Sequence, residues 1–117
     1  MNFQELMDLC KNLDEKHGFP VVFEDQKLKY NQVTKDLVGL FGEIGEFSNI
    51  IKKINLKIEK NDGYVLDLPA AEHDLKEEIA DSMIYLIRIA NILEVDLPEE
   101  INKKIEKNKI RYGKQGG

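Results

Sequence analysis

Apolar residues recur along this chain at spacings of three and four, with polar residues between them, and the pattern resolves into four helical segments. Phe3, Leu6, Cys10 and Leu13 form the first, a short amphipathic helix ending near Gly18-Phe19-Pro20. The stretch "VVFEDQ" that follows has the composition of a brief strand but no partner strand, so an extended connection is the better reading. From about Tyr30 to Ile54, the set Leu37, Leu40, Phe41, Ile44, Phe47, Ile51 and Ile54 keeps a helical period. Residues 55–73 lose that period and contain Asn-Asp-Gly and a proline, which predicts a long connection. Leu75, Ile79, Ser82, Leu86, Ala90 and Leu93 mark the next helix, which turns apolar on nearly every side at "MIYLIRIANIL", as a buried helix does. Asp96 and Pro98 then open a highly charged last helix, Glu99 to Tyr112, followed by a tail, 113–117, expected to fray. The pattern predicts an all-α, four-helix-bundle-like single domain over residues 1–117, its informative part about 30–112.

Composition narrows the classes. With 117 residues the chain builds one core, and 42% hydrophobic and 33% charged residues make it globular. A formal charge of −5 argues against a nucleic-acid partner, whose binding proteins are normally basic. Cys10 is the single cysteine, which suits a reducing cytoplasm. Acids interrupt the N-terminal stretch where a signal peptide needs a long apolar run, so none is expected. No segment approaches the roughly 18 consecutive apolar residues of a membrane span.

The acids carry the chemistry. On a helix Glu43 and Glu46 lie about 60° apart, beside the apolar stripe, and their seam runs on into Ile50. Glu78 and Asp81 repeat the spacing on the later helix, and their seam runs on into Tyr85 and Ile92. An i, i+3 acid pair alone is equally an ordinary solvated surface, and the chain has 22 acids. Two pairs that both continue into apolar residues point instead to partial burial. Four carboxylates gathered between helices repel one another unless neutralised. No lysine sits beside either pair, and a hard divalent cation, Mg²⁺ or Mn²⁺, suits all-oxygen ligands. Glu-x-x-His, the di-iron signature, is missing, and His17 and His73 lie outside both seams. Gly39, Gly42 and Gly45 line one side of the acidic helix; they admit a close neighbour, either a flat ligand or simply a crossing helix.

Lys104, Lys107, Asn108 and Arg111 share about 100° of arc on the last helix. By itself this is a solvated face; beside a metal-loaded site it becomes a grip for a polyphosphate, with Lys107 and Arg111 the leading candidates.

"GEIGEF", "EEIADSMIYLIRIANILEVDL" and "KIEKNKIRYGK", in that order, resemble the MazG-like nucleoside triphosphate pyrophosphohydrolases of the all-α NTP pyrophosphatase group. The likeness covers residues 34–54 and 75–112, and departs where Gly42 precedes Glu43 and in the length between the acidic motifs. It implies a Mg²⁺-dependent hydrolase that cuts between the α and β phosphates of an NTP or dNTP, giving the monophosphate and pyrophosphate. It also implies Glu43, Glu46, Glu78 and Asp81 as metal-binding and catalytic residues, Lys107, Asn108 and Arg111 as substrate-binding residues, which Lys104 joins by its place on the same face, and a homodimer or homotetramer. A catalytically silent metal- and nucleotide-binding module and a purely structural helical oligomer are the competing readings.

Overall fold

The computed structural model describes residues 1–60 and 63–116, with side chains through residue 113. Four helices follow one another: α1 (Phe3–Lys16), α2 (Gln26–Lys60), α3 (Leu68–Ile92) and α4 (Leu97–Gly116), with no strand among the described residues. The fold is all-α, and "VVFED" of that stretch is a non-helical connection whose Val21 is buried, while Gln26 already begins α2.

Side chains with a free oxygen start the helices. Asn2 accepts from the Glu5 amide (2.8 Å), Asp25 from Leu28 (2.8 Å), Asp67 from Ala70 (3.1 Å) and Asp96 from Glu99 (3.1 Å). Gly18 ends α1 at a φ of 81°, in the left-handed region that glycine tolerates.

Two boundaries correct the reading of residues 55–73 as one long connection. Helix α2 continues through Lys60, because Leu56, Lys57, Glu59 and Lys60 of "NLKIEK" are good helix formers. Helix α3 begins at Leu68, where Asp67 caps and Pro69 fits the first turn. Only residues 61–67 remain between them, and the Asn61-Asp62 part of the expected turn lies outside the described residues. Helix α4 likewise runs to Gly116, through most of the expected frayed tail; residue 117 lies outside the described residues.

Helices α2 and α3 form a long hairpin, and α1 packs on the C-terminal half of α3. The core is concentrated there. Val21, Val33, Leu40, Ile89 and Ile92 make one cluster, and Met7, Ile87 and Ala90 the other. Asn91 adds a tie to α1, its amide donating to the Met7 carbonyl at 3.1 Å. Helix α4 packs on α1 and shows solvent nearly all its side chains.

The single chain is open. Its radius of gyration is 18.5 Å, whereas a compact domain of this length has roughly 13 Å. Of the seven apolar residues whose spacing defined α2, only Leu40 is buried, and Phe41 is 67% exposed.

Candidate metal centre

The acids stand where the hairpin's two long helices run side by side. Glu43 and Glu46 project from α2 and Glu78 from α3, and one carboxylate oxygen of each lies within 4.8 Å of the others. Glu43 and Glu78 are half-buried, Glu46 exposed. Oε2 of Glu78 is shielded from solvent with no hydrogen-bond partner among the described residues. Ser82, one turn on, does not answer it, because its hydroxyl donates to the Glu78 backbone carbonyl (2.8 Å).

The neighbouring Glu43 carboxylate, then desolvation and the nearby Glu46, raise the Glu78 pKa to about 7. Three carboxylates this close favour a positive charge among them. A hard divalent ion fits the same position: the donors are all oxygen, they come from two helices, and one is buried and unanswered.

Asp81 stands outside this trio. It lines an adjoining cleft of about 290 Å³ with Glu43, Phe19, Ile84, Tyr85 and Arg88. The sequence reading missed Arg88. Its Nε and Nη2 donate to the two carboxylate oxygens of Asp14 at 3.1 and 3.0 Å, and Nη1 lies 3.8 Å from Asp36 Oδ1. Asp36 is buried, accepts from Gln32 Nε2 (3.2 Å), and leaves Oδ2 without a hydrogen-bond partner among the described residues; desolvation raises its pKa despite the arginine. The signal for this network was present: Arg88 is the one charge in "MIYLIRIANIL", and a charge on a buried helix needs a counter-charge.

The glycines divide. A Cβ on Gly39 would fall 2.6 Å from the Tyr85 ring, so this glycine admits a close neighbour, a side chain from α3. Gly42 and Gly45 face open space.

The cationic stripe is not brought to the acids within one chain. Lys104, Lys107 and Arg111 are exposed, Asn108 half-buried, on a helix that packs against α1. His73 pairs with Glu77 at the surface (3.2 Å) and takes no part in the acid group.

Residues 31–114 match the family described as MazG nucleotide pyrophosphohydrolase domain. The dCTP pyrophosphatase 1 proteins of Mus musculus, Bos taurus and Homo sapiens are each 31% identical over 84 residues, 72% of this chain and 48% of theirs. The chain thus spans about half the length of these curated relatives. No solved structure matches significantly.

Proposed function

The chain belongs to the MazG nucleotide pyrophosphohydrolase family, and from that premise we propose that it hydrolyses the α–β phosphoanhydride of a nucleoside triphosphate, releasing the monophosphate and pyrophosphate. One observation carries the reading above all: three carboxylates from two helices converge, and one buried oxygen has no hydrogen-bond partner among the described residues. Because the relatives are named for dCTP, that nucleotide heads the substrates to test.

Glu43, Glu46 and Glu78 would hold Mg²⁺, or Mn²⁺ in its place. When bound, the ion neutralises phosphate charge and makes a water a better nucleophile. Asp81, outside the trio and lining the cleft beside Glu43, is the fourth acid of the proposed site, and one of the four carboxylates would act as general base toward the attacking water. Phosphate grip falls to Lys104, Lys107, Asn108 and Arg111, delivered by α4 of a second copy.

The exposed apolar rows support a dimer or tetramer. Val38, Phe41 and Ile44 on α2 and Ile79 and Met83 on α3 are each at least 40% exposed, an arrangement that monomers rarely keep. Among the described residues no helix is long and apolar enough to cross a membrane, and a cytoplasmic role among free nucleotides accords with this.

The test is pyrophosphate release from a panel of NTPs and dNTPs with Mg²⁺, for the wild type and for Glu43→Gln and Glu78→Gln. Metal-dependent release lost in both variants is the expected result. Stabilisation by nucleotide without any product would identify a silent binding module instead.

A further inference from the structure

The cleft beside the trio has aromatic walls held in place by an ion network. Arg88 is the centre of it. Asp14 grips the guanidinium edge with two hydrogen bonds, leaving its flat faces for rings. Its Cζ lies 4.5 Å from the centroid of Phe19 and 5.7 Å from that of Tyr85. Tyr85 is confined on its other side by the backbone of α2 at Gly39. Phe19, by contrast, is 47% exposed in the connection after α1, so a large apolar ring stands half at the surface with the Arg88 guanidinium against it.

Glu43 belongs both to the trio and to this cleft. A triphosphate engaged at the trio therefore has its nucleoside end beside a cleft of about 290 Å³, room for a base, walled by two rings and a planar cation. Bases stack on such groups because each offers a π face. We propose that Phe19, with Tyr85 and Arg88 behind it, is the stacking wall for the nucleobase, and that Arg88 is a positioning residue holding that wall. The inference rests on the pyrophosphohydrolase reading of the adjoining acids.

A second cleft between the two hairpin helices, about 220 Å³ between Ile44, Phe47, Ile79, Ser82 and Met83, has no charged lining and does not include any of the acids. It suits an apolar side chain better than a base edge rich in donors and acceptors.

Binding in Ca²⁺ separates base recognition from turnover. We would titrate dCTP and inorganic tripolyphosphate, which has no base, into the full-length wild type, Phe19→Ala, Phe19→Trp and Arg88→Lys. Phe19→Ala should weaken dCTP about tenfold, a typical loss for one stacked base, with tripolyphosphate affinity held. Phe19→Trp should restore it. Arg88→Lys keeps the charge but loses the fork, and should weaken dCTP in the same selective way. Equal dCTP affinity in Phe19→Ala and wild type, or parallel losses for both ligands, would overturn the stacking wall while leaving the metal site standing. A wild type that binds neither ligand would overturn the functional reading and this inference together.

Discussion

Tyr85 of α3 lies across the α2 backbone at Gly39, where a Cβ would fall 2.6 Å from its ring carbons and 2.7 Å from its hydroxyl. That contact explains why a long helix accepts a glycine beside its acids. The two terms oppose each other: alanine improves helix propensity by about 1 kcal/mol, while overpacking costs about 1–3 kcal/mol. The atoms that meet the Cβ are the outer end of a half-buried ring bordering an open cleft, so the ring can shift and the two terms nearly cancel. Gly39→Ala should lower stability in urea by no more than about 1 kcal/mol. Gly42→Ala, facing open space, should raise it by up to about 1 kcal/mol. A destabilised Gly42→Ala would mean that a second molecule occupies that space.

Glu78 makes the metal-free protein sensitive to pH in a definite direction. Its pKa is about 7 in the fold against an ordinary 4.5, so the folded state holds the proton more tightly than the unfolded chain. The associated stability is complete below pH 4.5 and is lost as pH rises through about 7. Thermal unfolding in EDTA should therefore show a falling Tm across this window, which Glu78→Gln, unable to ionise, should flatten. Added Mg²⁺ should raise the wild-type Tm most above pH 7, where the proton no longer competes, and should leave Glu78→Gln unmoved. An equal Mg²⁺ shift in both proteins would show that the ion binds elsewhere.

The network of Asp14, Arg88 and Asp36 ties α1, α2 and α3 at the core's edge. Removing the arginine strands two buried carboxylates, and breaking a buried pair in this way costs roughly 3–5 kcal/mol. Arg88→Met should lose an amount of that order in chemical denaturation. Asp36→Asn leaves the bidentate contact to Asp14 intact and should cost only about 1 kcal/mol, the scale of one hydrogen bond. A Met variant as stable as wild type would show that the network contributes nothing net.

What could be read from the chain divides along physical lines. Helix existence followed from local periodicity, and Asp96 with Pro98 marked the start of α4 closely. Boundaries near 60 and 68 were missed because the end of α2 and the start of α3 lose the apolar period, while helix formers and the Asp67 cap still extend them. The acids at 43, 46 and 78 were legible because their seams turned apolar. Asp81's place in the adjoining cleft was not, since an i, i+3 relation fixes direction around a helix but not the reach of a shorter side chain. Arg88 hid inside an apolar run, and its partners Asp14 and Asp36 lie 74 and 52 positions away, beyond any local pattern.

The remaining expectation concerns where the cationic stripe acts. Within one chain Lys107 and Arg111 sit on a helix packed against α1, outside both the acid trio and its cleft. If a second copy supplies them, acids and cations of one site come from different chains. Two dead variants then complement. Mixing Glu43→Gln with Arg111→Ala under conditions that exchange subunits yields mixed dimers with one wholly altered site and one wholly native site. Random mixing makes half the dimers mixed, so activity should recover to roughly a quarter of wild type. Cations acting on their own chain's acids would leave every site in the mixture damaged, and activity would stay at the level of the separate variants.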